Sequence, residues 1–484
     1  MPGLVAVFSE TDSTADLEPL IKCLQYRGAS RMVAPVNDNC SMAVLGSRTS
    51  PGNNAGQTAL DGYIIHSGQK ETEGHKAISE KQVGAMLKEK GPSCLEKIEG
   101  EFTLAYSGED GDFTVARDPL GVKPLYYVDS GDTFFIAPEI KALVGVEGRI
   151  REVPPGSYFD REEGWVSYFS LPLFNGGRKM PLEEAEEKVR HLLKLAVEER
   201  ISDIADLGVY LSGGLDSSVV AALAAELREE PISTYTVGVA GSRDIEYASA
   251  VAERLGSQHH QYTYDLDQIL EVLPKVIYHL ESFDCAYVRS AIPNYIAARH
   301  AAHDRRRVML TGEGSDELFA GYSYLKNMKS GREIESEIES FMKSLSNTGL
   351  QRVDRMNSAH GIECRVPFLK LSLLELVAQF PLEWKLHDRE NEPVDKWILR
   401  RAFEDELGTR VAWREKEQFD QGSGSAQMLA EVAETEISDD EFEAESQQAP
   451  VPVRNKEELY YYRIFRQFYP ESVLPLVGRW AKTG

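Results

Sequence analysis

Leu207-Gly-Val-Tyr-Leu-Ser-Gly-Gly-Leu-Asp-Ser-Ser218 is the stretch on which the reading of this chain turns. Leu207–Leu211 is a short apolar run of the kind that sits inside a sheet, and an alanine-rich helical stretch, Ser217–Leu227, follows almost at once. Between them stand Gly213 and Gly214, which let the backbone bend tightly and approach a ligand closely. A helix start reached this way offers unpaired N–H groups and a positive dipole end to a phosphate. Asp216 has the wrong charge to meet phosphate directly, so a Mg²⁺ ion between the two is expected. A glycine-rich turn alone is weak evidence. The whole Ser-Gly-Gly-Leu-Asp-Ser-Ser string behind a strand is far more specific. The G-x-x-x-x-G-K-[ST] loop of γ-phosphoryl transfer is absent.

Working outward, Ile232–Val239, His259–Tyr264 and Val308–Thr311 read as strands and Ile245–Leu255 as a helix. Alternation of this kind predicts a parallel sheet wrapped by helices, and the chain beyond Gly331 looks mainly helical. A second loop, Leu310-Thr-Gly-Glu-Gly-Ser-Asp-Glu-Leu-Phe-Ala-Gly-Tyr322, leaves the end of a strand. Ligands of an open α/β sheet gather at the carboxyl ends of its strands, so both loops can face one crevice. Asp316 is then a second metal-binding carboxylate beside Asp216, although Gly-Ser-Asp-Glu by itself also suits a turn and helix cap.

Upstream, Leu182–Ile201 has helical spacing, with acidic residues early and basic ones later, and Leu171–Pro181 is a Pro/Gly-rich linker. Before the linker, Leu4–Phe8, Thr58–Ile65, Phe102–Tyr106, Phe113–Ala116, Leu125–Val128 and Thr133–Ala137 read as strands, with one helix around Lys81–Lys90. The expected architecture is two domains: a β-rich sandwich over residues 1–170 and a parallel-sheet α/β domain over residues 182–484.

Composition narrows the function classes. The 484 residues are 42% hydrophobic and 27% charged, as in ordinary globular proteins. No apolar run approaches the ~18 residues of a membrane span, and the N-terminus lacks a basic leader, so no membrane contact and a cytoplasmic location are expected. A formal net charge of −25 argues against nucleic acid as a partner, favours solubility and suits a salty host. The denser acidic stretch Glu431–Glu445 reads as a solvated helix face or loop. Five cysteines (Cys23, Cys40, Cys94, Cys285 and Cys364) without C-x-x-C spacing read as buried thiols rather than zinc ligands or a disulfide framework.

The Ser212–Ser218 string resembles the pyrophosphate-binding loop of the N-type ATP pyrophosphatases, which cleave ATP between the α and β phosphates. Gly312–Tyr322, His360-Gly-Ile-Glu-Cys-Arg-Val-Pro-Phe-Leu369, Trp413-Arg-Glu-Lys-Glu-Gln-Phe419 and Val276–Asp284 are together similar to the asparagine synthetases, in order, over about residues 182–470. The resemblance implies an Ntn-hydrolase-like sandwich followed by an ATP-pyrophosphatase domain (adenine nucleotide alpha hydrolase-like). It implies ATP binding by Leu211, Ser212, Gly213, Gly214, Asp216, Ser217, Ser218, Val237, Thr311 and Gly312, and Mg²⁺ binding by Asp216 and Asp316. It implies catalytic parts for Glu313 in acyl-adenylate formation and amine capture, for Lys416 on the anionic transition state, and for Glu363. The last matches the carboxylate that pairs with a tyrosine in the related β-lactam synthetases. Developing charge at the α-phosphate and the attacked carbonyl oxygen is where a fixed lysine or Mg²⁺ acts strongly, and a carboxylate beside the carbonyl suits an ammonium that must lose a proton.

Arg27-Gly28, Gly100–Ala105 and Ala116-Arg-Asp-Pro-Leu-Gly-Val-Lys-Pro-Leu-Tyr-Tyr127 resemble the class II glutaminase domain of those synthetases, but its working parts are altered. Pro2 stands where the family has its nucleophilic cysteine, Asp61-Gly62-Tyr63 where it has Asn-Gly-Glu, and Glu73-Gly74-His75 where it has Gly-Ser-Asp. Proline carries no thiol, and an ionised aspartate would repel the oxyanion that an asparagine stabilises. The N-terminal domain is therefore expected to be an inactive glutaminase fold. In the second domain Lys370 replaces an aspartate after Val-Pro-Phe-Leu, and Gly349 stands where another aspartate is expected.

The leading expectation is an ATP-dependent amide-forming ligase that takes a small-molecule carboxylate, aspartate first, and ammonia or an amine as nitrogen source. A homodimer is an admissible assembly. The alternatives are a β-lactam-synthetase-like enzyme of specialised metabolism and a non-catalytic regulatory protein descended from a synthetase. The set Asp216, Glu313, Asp316 and Lys416 argues against the last.

Overall fold

Apolar, β-branched and aromatic runs dominate the first third of the chain, and they pair as two antiparallel sheets. The computed structural model describes residues 3–9, 17–28, 30–33, 40–46, 58–66, 77–108, 112–174, 176–177, 180–202, 204–389, 392–416 and 425–479. The first sheet contains β1 (Gly3–Ser9), β2 (Ser30–Val33), β3 (Cys40–Leu45), β7 (Tyr126–Asp129), β8 (Thr133–Ala137) and β9 (Arg151–Glu152), in the order β2-β3-β1-β8-β7-β9. The second contains β4 (Thr58–His66), β5 (Ile98–Ser107), β6 (Phe113–Arg117), β10 (Ser157–Asp160) and β11 (Gly164–Ser167), in the order β11-β10-β6-β5-β4. Aromatic rings join the two layers: Phe8 stacks on Phe113 at 4.1 Å, and Phe134 packs on Phe159 at 4.6 Å. The sandwich read from the sequence is present. Strands β2, β3 and β9–β11 were not in that reading, and Glu73–His75 and Pro2 lie outside the described residues.

Helix Leu182–Ile201 opens the second domain with the bounds its spacing predicts. Five parallel strands follow: β12 (Leu207–Tyr210), β13 (Ser233–Gly238), β14 (Gln258–Thr263), β15 (Val308–Leu310) and β16 (Glu363–Arg365). Their order is β14-β13-β12-β15-β16, so the chain steps outward one way from β12 and then returns to step the other way. Between β12 and β15 the order reverses, and a crevice opens there at the carboxyl ends. Two long helices, Leu266–Leu280 and Cys285–His303, were not read from the sequence. The region beyond Gly331 is mainly helical as expected, but it also supplies β16 and a hairpin of β17 (Leu386–Arg389) and β18 (Glu392–Asp395).

The acidic stretch forms parts of helices Ser425–Glu436 and Asp439–Gln448, and the second of these buries no residue, as a solvated face requires. All five cysteines are free, and only Cys23 is other than buried. Among the described residues no helix is long and apolar enough to cross a membrane.

Candidate active site

Two loops meet at the switch point. Gly213 has φ +71°, and a Cβ there would lie 2.3 Å from the backbone nitrogen of Ala248, so only glycine fits the turn after β12. The turn is pinned by the Ser217 hydroxyl, which accepts from the Ser212 N–H at 3.2 Å and donates to the Gly214 carbonyl at 3.2 Å. It delivers the chain to helix Leu215–Glu226, whose first turn carries Asp216. From β15, Gly312 passes so close that a Cβ would sit 2.8 Å from the Ser217 nitrogen. Gly314, at φ +91°, then turns the chain into the short helix Ser315–Leu318, and the Ser315 hydroxyl donates to Asp216 Oδ1 at 2.8 Å.

Four charged side chains converge between these loops. Lys396 Nζ lies 2.6 Å from Asp216 Oδ2 and 2.6 Å from Asp316 Oδ1. Lys416 Nζ lies 2.7 Å from Asp316 Oδ2 and 3.9 Å from Asp216 Oδ2. Burial alone would raise the Asp316 carboxyl, but the two lysines outweigh it and hold it well below the usual carboxylate range. The reverse holds for Lys416, which Asp316 and Asp216 keep protonated far above neutral pH. Both lysines are held from behind. Arg400 bonds Asp395 Oδ2 at 3.0 Å and the carbonyls of Ala412 and Arg414 at 2.8 Å each, tying the segment before Lys396 to the segment before Lys416. Arg414 in turn reaches Asp244 Oδ1 at 2.7 Å.

One ammonium bridging both aspartates demonstrates that a single cation reaches both. Two carboxylates are a usual protein share for Mg²⁺, which takes its other ligands from phosphates and water. Among the described residues no three or more His, Cys, Asp or Glu converge as a metal cage. Asp216 and Asp316 offer two carboxylates of the kind that suit such an ion.

The tetrad lies in a cavity of about 350 Å³. Leu211, Ser212, Gly214, Asp216, Ser217, Val237, Thr311, Gly312, Glu313, Asp316 and Lys416 all line it. Gly213 and Ser218 stand behind the wall: Gly213 shapes the turn, and the Ser218 side chain is buried inside the helix. Both oxygens of Glu313 accept from Arg352 Nη2 at 2.7 Å, and Gly349 is packed against the same carboxylate, where a Cβ would come within 2.5 Å of Oε1. An aspartate at 349 would set a second negative charge on Glu313. The wall also carries Ser290 and Asn294 from helix Cys285–His303. Behind Glu313, burial and the charges of Glu313 and Asp316 push the Glu317 carboxyl up to about 7, although the Tyr322 hydroxyl donates to it at 2.6 Å.

Glu363, expected from the resemblance to be a catalytic carboxylate, does not line this cavity. The parallel register pairs it with Val308, at the start of the strands, whereas Thr311 lies beyond their carboxyl ends. Its side chain is buried against Arg365 Nε at 2.7 Å. Burial works to raise it, and Arg365 and Lys123 outweigh that and hold it at about 2. Lys370 is also remote from the cavity. It is buried against both oxygens of Glu199, at 2.8 and 2.9 Å, which explains a cation at that position.

Lys396, Arg352, Asn294 and Arg400 carry no mark in the sequence reading. Lys396 follows a β-hairpin and Arg352 sits on helix Gly349–Ser358, so only the fold brings them to the loops.

The asparagine synthase family model matches residues 188–340 and 326–478, and a glutamine amidotransferase domain model matches residues 72–160. The chain is 33% identical over 429 residues to the "Probable asparagine synthetase [glutamine-hydrolyzing]" of Schizosaccharomyces pombe, covering 82% of this chain and 77% of that protein. It is 33% identical over 405 residues to "Asparagine synthetase B [glutamine-hydrolyzing]" of Escherichia coli, covering 80% and 73%. It is 31% identical over 411 residues to "Asparagine synthetase [glutamine-hydrolyzing] 2" of Arabidopsis thaliana, covering 81% and 71%.

Proposed function

The chain belongs to the asparagine synthase family, and from that premise we propose that it joins aspartate to ammonia, or to a small amine, through an acyl-adenylate, releasing AMP and pyrophosphate. The observation that carries the reading is the meeting of the Ser212–Ser218 turn with Asp216, Asp316, Lys396 and Lys416 at the sheet's switch point. The turn and the start of helix Leu215–Glu226 suit the pyrophosphate, and Leu211, Val237 and Thr311 suit the nucleoside. Asp216 and Asp316 would hold Mg²⁺, which would supply positive charge to offset the negative charge of the leaving pyrophosphate. Lys416 would bear on the charge that develops as the carboxylate attacks. Glu313, fixed by Arg352, would orient the amine and take its proton as the amide forms. Ser290 and Asn294 are the groups offered to the polar end of the carboxylic acid.

Ammonia rather than glutamine is favoured by the N-terminal domain. Pro2 precedes β1 in place of a cysteine. Asp61, where the family has its oxyanion-binding asparagine, is 1% exposed; burial lifts its carboxyl to about 6 against the pull of Lys123 and Arg27. Its anion, the form that Lys123 and Arg27 favour, cannot donate to an oxyanion. Tyr63 is committed elsewhere: its hydroxyl donates to Glu101 Oε1 at 3.0 Å, and Arg365 lies 4.6 Å from its ring centre.

The test is product analysis with ATP and aspartate, supplied with ammonium chloride or with glutamine. AMP, pyrophosphate and asparagine are expected with ammonium, and little glutamate with glutamine. ADP as the nucleotide product would overturn the chemistry, and rapid glutamate release would overturn the nitrogen source.

A further inference from the structure

We propose that Lys396 is a built-in stand-in for the metal: it occupies the place between Asp216 and Asp316 in the nucleotide-free protein, so that a divalent cation binds there only together with the triphosphate. This rests on the reading of the cavity as an ATP site and adds to it an order of assembly.

Charge comes first. Asp216 and Asp316 bring two negative charges, and Lys396 and Lys416 bring two positive ones within 2.6–3.9 Å of them. The set is neutral as it stands. A free divalent cation entering it adds two charges to a site whose Lys396 side chain is 1% exposed, and repulsion from that buried ammonium is poorly screened there. A nucleotide triphosphate reverses the balance. Its oxygens attract both ammoniums, lysine being a point-charge partner for phosphate, and leave the carboxylates to a metal that shares the same oxygens.

The position of the lysine is built at some cost. Lys396 has φ +53° and ψ 30°, a left-handed conformation uncommon outside glycine. The residue before it is fixed: Asp395 is 2% exposed and held by Lys326 at 2.7 Å and Arg400 at 3.0 Å. Opposite, Gly321 leaves the passage open, since a Cβ there would fall 2.1 Å from both Asp316 Oδ1 and Lys396 Cε. Backbone strain on one side and a missing side chain on the other serve the same end. They seat one ammonium between two carboxylates that would otherwise face each other uncompensated.

Mn²⁺ binding, followed by electron paramagnetic resonance and calorimetry without turnover, tests the inference. Nucleotide-free wild type is expected to bind Mn²⁺ weakly, in the millimolar range or worse. A non-cleavable ATP analogue should tighten that binding at least tenfold. Lys396→Met should tighten Mn²⁺ binding tenfold or more without nucleotide, whereas Lys396→Arg should remain weak. Tight Mn²⁺ binding by the nucleotide-free wild type overturns the inference whether or not either variant folds, and so does a folded Lys396→Met that binds no better. Failure of the analogue to bind at all would instead strike the ATP-site reading, because the nucleotide-free titrations do not depend on it.

Discussion

Asp216 and Asp316 each answer to two masters, a lysine in the structure described and the metal-bound pyrophosphate in the proposed reaction. Replacement of either by asparagine is expected to lower kcat by a factor on the order of 10² or more while the fold is kept, because a neutral amide neither pairs with Lys396 nor ligates strongly. Steady-state rates across a Mg²⁺ series check this, and near-normal rates at low Mg²⁺ would end the metal role of that residue. If Lys416 acts on the transition state as proposed, Lys416→Ala should cost a factor on the order of 10²–10³ in kcat with much less change in ATP affinity. An unchanged kcat with a raised KM would reduce Lys416 to ground-state binding. Glu317 supplies a pH handle. Its folded value of about 7 lies above the ordinary 4.5, so the folded state binds the proton more tightly than the unfolded one. Its contribution is most favourable below about pH 4.5 and is lost as pH rises through 7. Glu317→Gln should therefore gain stability relative to wild type on going from pH 5 to pH 8.5, by an amount on the order of a kcal/mol. Equal differences at the two pH values in urea denaturation would refute it.

The turn after β12 shows why part of the site was legible in the sequence. Its glycines, serines and aspartate are contiguous, and each is needed for a local reason, so the string itself announces the structure. Gly213→Ala meets backbone atoms of Tyr247 and Ala248 at 2.5 and 2.3 Å and is strained in φ as well. A loss on the order of 1–3 kcal/mol in stability is expected, and a melting temperature unchanged from wild type would contradict it. Glu363 shows the limit of such reading. The His360–Leu369 motif carries a resemblance, but only the parallel register tells which end of β16 faces the crevice, and Glu363 is at the other end. Lys396 and Arg352 escaped for the complementary reason. Each reaches the loops through long-range packing, and the residues around it, Val394–Trp397 and Leu350–Asp354, have no local pattern that needs a ligand. Helices Leu266–Leu280 and Cys285–His303 are not marked in the sequence reading, and each carries an internal proline that sequence rules treat as a breaker.

On the scale of the whole molecule, a buried seam of charge runs between the two domains. Arg27 of the sandwich bonds Asp354 of the second domain at 2.9 Å, and Arg355 of the second domain bonds the Pro138 carbonyl of the first at 2.6 Å. Glu281 accepts from the backbone N–H groups of Ile140 and Lys141 at 3.0 and 2.8 Å and from Arg355 at 2.9 Å. At the centre is Glu139, 1% exposed as a side chain, with Arg27 at 2.5 Å, Arg355 at 3.5 Å and Lys141 bonded to it. Burial alone would raise its carboxyl, yet the three cations hold it well below the usual range, so its contribution is present above about pH 4.5 and survives well into acid. Apolar side chains of both domains, among them Leu20, Tyr126, Leu280 and Phe283, pack into one core around the seam. The domains should therefore unfold together. Wild type is expected to show one urea transition by tryptophan fluorescence, with Trp165 reporting the sandwich and Trp397 and Trp413 the synthetase half. Glu139→Gln leaves three buried cations short of a counter-charge and should lower stability by about 3–5 kcal/mol. Arg27→Met combined with Glu139→Leu removes one charge of each sign and keeps the seam's net charge, so it should cost less than the sum of the two single replacements. A Glu139→Gln protein within half a kcal/mol of wild type would mean the seam contributes nothing to joining the domains, and two separate transitions in wild type would mean they are not joined in the folded state at all.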